Sequence, residues 1–222
     1  MKTLLTIDTS AEYCSIALFY NETLRCRQEK GFKSHANVIL AFVEELLSDA
    51  GIVLSQVDTL IYTKGPGSFT GLRISACVAQ GLAISQNIPV IGISTLQALA
   101  QGAYRQLNTP KVWVVNDARM NEVYHAPFQL NEQGFMACIE EEKVESLECL
   151  SWNINEWTYV GSGLMLDNAI IPKDILSESK LIQFEPIDLI TLAGFKTPLS
   201  AQFALPTYIR NNVAHKKRDL HG

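Results

Sequence analysis

The sequence lacks the features that would mark a secreted, membrane-spanning or nucleic-acid-binding protein. Its five cysteines are scattered and none forms a Cys-x-x-Cys pair, so we expect reduced thiols in a cytosolic chain. The apolar run that begins at Leu4 is interrupted by Asp8, too early for a secretory signal, and no run is long enough to span a bilayer. A formal net charge of −5 argues against a protein that binds nucleic acid on its own.

Signatures of the common catalytic classes are missing as well. The run GPGSFTGL at 65–72 has no Lys-Ser/Thr pair after its last glycine, as a P-loop requires, and Thr70 stands where a dinucleotide fingerprint has glycine. His35 is followed four residues later by Ile39, so this segment offers no helical pair of histidines for a metal. No Gly-x-Ser-x-Gly elbow is present for acyl chemistry. We therefore expect no catalytic residue and no metal or other cofactor of the chain's own.

The stretch from 59 to 84 combines a strand end, a glycine-rich turn and a long helix. Only glycine and proline suit the sharp exit at 65–67, and Ser68 or Thr70 can cap the helix that follows. One helical face carries small residues at every fourth position, where another backbone can approach closely: Gly71, Ser75, Ala79 and Ala83. The simplest interpretation is a tight turn with close helix packing, and phosphate binding by the turn is the alternative. The rest of the helix is mostly apolar and needs cover on more than one side.

A helix predicted from His35 to Ala50, with Ser34 as N-cap and Gly51 as stop, is also unusually apolar. Its apolar arc of roughly 200° fits either a deeply buried helix or one that contacts a sheet on one side and a partner on the other. On the second interpretation, the partner-binding residues of the two helices are Val38, Ala41, Phe42, Glu45, Leu46, Gly71, Arg73, Ser75 and Ala79. We expect Val38, Phe42 and Glu45 to flank the second helix, and Phe42→Glu or Ser75→Arg to abolish dimers without unfolding the chain.

The order of the predicted elements repeats along the chain. Three antiparallel strands open the first half, followed by a helix, a strand, the helix after the glycine turn and another strand. A similar series starts after Asn108-Thr109-Pro110 and ends with a helix at 187–195. By analogy, this order fits an α/β, duplicated actin/hexokinase-like (ribonuclease H-like) fold with mixed sheets. We predict domains at 1–107 and 108–222, with the last helix in the second domain or packed back on the first.

The turn Asp8-Thr9-Ser10 after the first strand has two interpretations. In sugar kinases of this fold the corresponding hairpin holds phosphate, so Asp8, Thr9 and Ser10 are candidates for a remnant nucleotide cleft. The turn lacks the glycine that lets a backbone approach phosphate closely. We favour a structural role in which the Asp8 carboxylate accepts hydrogen bonds from nearby N–H groups. Asp117 and Arg119 are candidates for a pair across the domain junction, and the basic tail at 214–222 is expected to be solvated.

Several segments resemble the TsaB (also called YeaZ) family. They are IDTSAEYCSIAL, the helix that begins at His35, GPGSFTGLRI and NDARMNEVYHA, and the segment LPTYIRNNVA resembles the family's closing motif. GPGSFTGLR at this position is specific, whereas the short DTS and DAR motifs alone are not. The resemblance covers the whole chain and is looser in the second half.

The resemblance implies a non-catalytic scaffold subunit of the bacterial machinery that makes threonylcarbamoyladenosine (t6A) on tRNA. It implies dimerisation with the catalytic paralogue TsaD, and with a second copy, through the first two helices of the N-terminal domain. TsaD-like enzymes carry the metal on a His-x-x-x-His helix, TsaE is an ATPase that joins the complex, and tRNA would be reached only through that complex. Two alternatives from other classes are an actin-like-fold ATPase or kinase and, less favoured, a metallopeptidase.

Overall fold

The first half of the chain is built on a five-stranded sheet. Its strands are β1 (Leu4–Asp8), β2 (Tyr13–Tyr20), β3 (Thr23–Lys30), β4 (Thr59–Gly65) and β5 (Val90–Ser94). In the computed structural model, which describes residues 2–11, 13–31, 35–166, 170–178 and 181–209, the strand order is β3-β2-β1-β4-β5. β1, β2 and β3 form an antiparallel meander, whereas β4 and β5 run parallel to β1. The antiparallel opening predicted from the sequence is confirmed.

Two helices pack on this sheet, and each covers a different pair of strands. α1 (His35–Ala50) lies over β2 and β3, and α2 (Phe69–Gln86) lies over β4 and β1. The buried side chains of α1 recur at helical spacing and are at most 8% exposed: Ile39, Val43, Leu46 and Leu47. α1 ends at Gly51, whose φ of 67° suits a glycine stop, and its expected N-cap, Ser34, lies outside the described residues.

The second half repeats the strand arrangement of the first. Its strands are β6 (Lys111–Arg119), β7 (Glu122–Leu130), β8 (Met136–Cys138), β9 (Lys143–Ser146) and β10 (Thr158–Val160). β6 pairs antiparallel with β7 and parallel with β10, as β1 pairs antiparallel with β2 and parallel with β4. A glycine turn follows both β4 and β10, and a Cβ at Gly161 would lie 2.3 Å from the Val115 carbonyl oxygen. The chain therefore has the duplicated actin/hexokinase-like α/β fold that the element order predicts.

α3 (Thr95–Leu107) connects the two sheets. Ser94 caps it by accepting a hydrogen bond from the Gln97 backbone N–H, and α3 contacts strands of both sheets. Two shorter helices follow later in the chain, α4 (Lys173–Glu178) and α5 (Pro186–Ala193). Arg105 of α3 donates two hydrogen bonds, of 2.9 and 3.1 Å, to the buried Asp188 carboxylate of α5. This pair links α5 to the helix between the sheets.

The chain returns to the first sheet after the second one is complete. Leu189 and Leu192 of α5 pack in one cluster with Ile61, Ile91 and Ile93 of the first sheet. The C-terminal segment, defined here as residues 199–209, then follows the edge of that sheet. Leu199 and Val90 exchange two backbone hydrogen bonds of 2.8 Å, and the Thr207 N–H donates to the Lys64 carbonyl at 2.6 Å. Residues distant in sequence thus complete the first half, and the domain boundary at 107/108 remains a prediction.

Candidate functional site

The glycine-rich turn is explained by contacts inside the chain. A Cβ at Gly71 would lie 1.9 Å from the Thr9 carbonyl oxygen, so no larger residue fits without moving backbone. The Thr9 hydroxyl donates to the Gly71 carbonyl at 2.7 Å, and the Ser68 N–H donates to the Ser10 carbonyl at 3.0 Å. Ser68, and not Thr70, caps α2, because its hydroxyl accepts from the Gly71 N–H at 3.3 Å. The turn after β1 is thereby fixed against the start of α2.

Four residues predicted to bind a partner are buried in the chain's own fold, which corrects that prediction. Ser75 and Ala79 are 0% exposed, and the Ser75 hydroxyl donates to the Ile7 carbonyl of β1 at 3.2 Å. Leu46 of α1 is also 0% exposed, and Gly71 is closed off by Thr9. The small-residue face of α2 admits β1 and its turn rather than a second protein. The expectation that Ser75→Arg leaves the fold intact is therefore wrong, since a guanidinium cannot occupy this site without displacing the sheet.

The expected position of one flank of α1 is also corrected. The Arg27 guanidinium on β3 pairs with Glu45 at 3.1 Å and with Asp49 at 2.5 Å. Val38 and Phe42 lie on the same side of α1, because positions 38, 42, 45 and 49 repeat at helical spacing. β3 is the far edge of the sheet from β4, over which α2 lies. This flank therefore faces the sheet edge and not α2. The ion pairs of Arg27 with Glu45 and Asp49 are solvent-exposed, and such pairs contribute little to stability.

The two helices expose several apolar residues, beside charged ones such as Glu44 and Arg73. On α1, Leu40 is 55% exposed and Ala41 is exposed beside it. On α2, Ile84 is 61% exposed, Gly81 is exposed one turn before it, and Cys77 is exposed two turns before it. We call Leu40, Ala41, Cys77, Gly81 and Ile84 the helical crest. The cores of protein–protein interfaces are enriched in apolar and depleted in charged side chains, so these residues are candidates for a contact surface.

A cleft of about 930 Å³ lies between the two halves. Asp8, Ser10 and Ser68 line it on the first half, and Asn116, Asp117, Arg119 and Ser162 line it on the second. The Asp8 carboxylate accepts from the Ser10 N–H at 2.9 Å and from the Thr63 hydroxyl at 2.7 Å, so its role in holding the turn is structural. Asp117 accepts from the backbone N–H and the guanidinium of Arg119 at 2.7 and 3.1 Å. These two residues pair within one turn rather than across the domain junction.

The chemistry of the cleft is that of a neutral to acidic polar site. Within the described residues, no hydrogen-bond partner lies in reach of the buried Ser10 and Thr95 hydroxyls that line it. Its charged lining groups are the carboxylates Asp8, Asp117 and Glu185 and one cation, Arg119, which is already paired. Polyphosphate recognition needs a surplus of positive charge or free backbone N–H groups. Three carboxylates against one paired cation give the described lining of the cleft a net negative charge.

The histidine of the second sheet is part of its packing. Burial lowers the pKa of His125, although Glu145 beside it opposes that shift. Its Nδ1 accepts from the Trp113 indole at 3.3 Å, and its Nε2 lies 2.6 Å from a Glu145 carboxylate oxygen. In the ranges that the structure describes, no group of three or more His, Cys, Asp or Glu side chains is arranged to hold a metal ion. Among those same residues, no helix is long and apolar enough to cross a membrane.

Comparison with known proteins agrees with this architecture. The TsaD family model, described as tRNA N6-adenosine threonylcarbamoyltransferase, matches residues 28–160. The chain is 37% identical to the tRNA threonylcarbamoyladenosine biosynthesis protein TsaB of Escherichia coli, over 96% of this chain and 97% of that protein. Identity to TsaB of Haemophilus influenzae is 36%, over 97% and 96%. The solved structure of YeaZ from Pseudomonas aeruginosa has a TM-score of 0.82 at 35% identity, covering 94% of this chain and 100% of that one.

The duplicated sheets, the interdomain cleft and the family match define an actin/hexokinase-like protein related to TsaD. Within that class, the chain belongs to the TsaB (YeaZ) family, and the resemblance found in the sequence is confirmed.

Proposed function

We propose that this chain acts in tRNA threonylcarbamoyladenosine biosynthesis, as a cytoplasmic, non-catalytic subunit that pairs with a TsaD-like catalytic paralogue. The observation that carries this proposal is the similarity to TsaB of Escherichia coli, which spans 96% of the chain at 37% identity. A non-catalytic role is supported by Asp8, the acidic residue at the end of β1. Its carboxylate already accepts hydrogen bonds from Ser10 and Thr63 and so positions the turn.

The helical crest is the surface proposed for the paralogue. It combines Leu40 at 55% exposure and Ile84 at 61% with small neighbours that let another helix approach. Of the predicted partner-binding residues, Ala41 belongs to the crest and Arg73 is exposed on α2 one turn before Cys77. Val38, Phe42 and Glu45 lie on the flank of α1 toward β3. Homodimerisation of the isolated chain would use the same surface, because the two helices of a second copy can bury these exposed apolar side chains.

The remaining steps of the reaction are assigned to other subunits. In this proposal the chain holds no metal or nucleotide of its own, the TsaD-like paralogue carries the metal, and a TsaE-like protein hydrolyses ATP. The chain's contribution is to hold the paralogue in its active arrangement. An ATPase or kinase activity of the chain is disfavoured by the acidic lining of the cleft, where Arg119 is already paired with Asp117.

Co-purification with the TsaD-like paralogue, followed by nucleoside analysis of tRNA, tests this proposal. Leu40→Glu and Ile84→Glu each place a charge on the crest and should weaken the heterodimer by about thirtyfold if they act as hot spots. Ile139→Glu is the matched control, because Ile139 is 50% exposed and directly follows β8 of the second half, away from α1 and α2. t6A should form only when the wild-type or control chain is present. Full modification without this chain would contradict the function, and an unchanged heterodimer in both crest variants would contradict the surface.

A further inference from the structure

The cleft between the two halves lies where the parallel strands of both sheets end. β1, β4 and β5 run parallel in the first sheet, and residues just after them line the cleft: Ser10, Ser68 and Thr95. β6 and β10 run parallel in the second sheet, and their ends contribute Arg119 and Ser162. Open α/β sheets bind ligands in crevices outside the carboxyl ends of their strands. The position of the cleft therefore makes it a candidate binding site.

Two hydroxyl groups in the wall of the cleft are buried without a hydrogen-bond partner. Ser10 is 4% exposed and Thr95 3%, and among the described residues neither hydroxyl has a partner in reach. Buried polar groups in folded proteins are nearly always hydrogen-bonded, so a buried hydroxyl without a partner is a candidate for contact with a ligand. Each hydroxyl turns on a single side-chain bond that no hydrogen bond fixes, so it can rotate between staggered positions toward the cleft.

The charges of the cleft disfavour an anionic ligand. Its described lining contains three carboxylates, Asp8, Asp117 and Glu185, and a single cation, Arg119. Arg119 is paired with Asp117 at 3.1 Å, and Glu185 is paired with Arg105 at 3.2 Å. Phosphate recognition relies on unpaired Arg or Lys side chains, and the walls of a cleft strengthen the repulsion between like charges. A ligand without charge avoids this repulsion.

The spacing of the two hydroxyls sets the size of the ligand. Ser10 follows β1 and Thr95 follows β5, and β4 lies between these strands in the sheet. Two strand spacings amount to about 10 Å, and a hydrogen bond at each end leaves ~4–5 Å between the polar atoms of the ligand. Hydroxyl groups across one sugar ring are separated by about this distance. The half-buried rings of Tyr13, Tyr124 and Phe184 also line the cleft and offer apolar faces for packing.

We propose that the cleft binds an uncharged ligand built on a single sugar ring, held by the hydroxyls of Ser10 and Thr95. Such a ring occurs in free monosaccharides and in nucleosides, and a cavity of about 930 Å³ has room for either. The opposite wall presents Asn116, whose Oδ1 accepts from the Ser162 N–H and hydroxyl at 3.1 and 2.7 Å. No crest residue is among the described residues that line the cleft, and the proposal holds whether or not the crest binds a paralogue.

Matched pairs of compounds that differ by one phosphate test the proposal: adenosine with AMP, and glucose with glucose 6-phosphate. Chemical-shift changes in the NMR spectrum of the isolated full chain measure binding as each compound is titrated to about 10 mM, which detects millimolar dissociation constants. In at least one pair the uncharged member should bind, and its phosphate ester should bind about tenfold more weakly. The pair that binds identifies the source of the ring.

Ser10→Ala and Thr95→Val each remove one of the two hydroxyls. Each should weaken binding of the uncharged compound about fivefold to tenfold. The stability of the ligand-free chain should stay the same or rise, because the substitution removes an unsatisfied buried hydroxyl. Ser85→Ala and Thr23→Val are the matched controls, because these exposed side chains are not among the described residues that line the cleft.

Absence of binding by all four compounds would overturn the proposal, as would a phosphate ester that binds as tightly as its uncharged counterpart. Unchanged affinity in both hydroxyl variants would also contradict it, since the ligand would then lie elsewhere. A marked fall in the stability of the ligand-free variants would show that the hydroxyls have partners inside the chain. None of these measurements involves a paralogue or tRNA, so their failure leaves the proposed function standing.

Discussion

Two glycines of α2 lie in opposite surroundings. Gly71 is packed against backbone of the same chain, whereas Gly81 lies on the open side of the helix. At Gly71 an alanine Cβ would lie 1.9 Å from the Thr9 carbonyl oxygen, and real contacts of this kind are essentially never under 3.0 Å. The turn must therefore retreat, which strains the hydrogen bonds that Thr9 and Ser68 make across this contact. Overpacking costs about 1–3 kcal/mol and each weakened hydrogen bond about 1 kcal/mol, against about 1 kcal/mol that alanine gains in a helix. We expect Gly71→Ala to lower the free energy of unfolding by about 3 kcal/mol.

Gly81→Ala is the matched control in the same helix. A Cβ at Gly81 would meet nothing within 4 Å, so the substitution should raise the free energy of unfolding by about 0.5–1 kcal/mol through helix propensity alone. Urea unfolding followed by circular dichroism, repeated at several protein concentrations, measures both and separates folding from self-association. If Gly71 faced a partner, Gly71→Ala would weaken the dimer and leave monomer stability unchanged. That result would refute the packing argument.

Two further predictions concern buried charges. Arg105→Met leaves the Asp188 carboxylate, which is 2% exposed, without its guanidinium partner, so the free energy of unfolding should fall by about 3 kcal/mol. Adding Asp188→Asn to this variant should recover part of the loss, and no recovery would contradict the pairing. Burial lowers the pKa of His125 below its unfolded value of 6.5, so the folded state binds fewer protons than the unfolded state and stability should fall as pH drops below about 6.5. Comparing the free energies of unfolding of wild type and His125→Gln between about pH 7.5 and 5.5 measures the contribution of His125. If the two stability curves run parallel, the prediction is wrong.

Regular elements with strong periodicity were predictable from the sequence. The buried spacing of Ile39, Val43, Leu46 and Leu47 defines α1, and the glycine turn defines the start of α2. Strand β9 was not predicted, because Lys143–Ser146 is short, half charged and without a buried face. α4 was missed as well, since six residues carry too little periodicity to distinguish a helix from a turn. The path of the C-terminal segment could not be predicted from periodicity. It is fixed by contacts with β4, β5 and α2, which are far from it in sequence.

The partner surface was less predictable because periodicity identifies a face without saying what covers it. The small residues Gly71, Ser75 and Ala79 allow close approach, and the sequence cannot tell whether the approaching backbone is the chain's own. The structure identifies it as β1 and its turn.

The excess apolar surface of α2 is largely accounted for within the chain. One face packs on the sheet through Ser75 and Ala79, one flank packs toward α1, and the other is bordered by the C-terminal segment through Gln80. What remains for a partner is the narrow crest, and its large exposed apolar side chains are Leu40 and Ile84. A contact centred on so few anchors buries less than the roughly 800 Å² per partner of a standard interface unless neighbouring polar residues join it. A partner contact confined to the crest, as proposed above, would therefore be smaller than a standard interface.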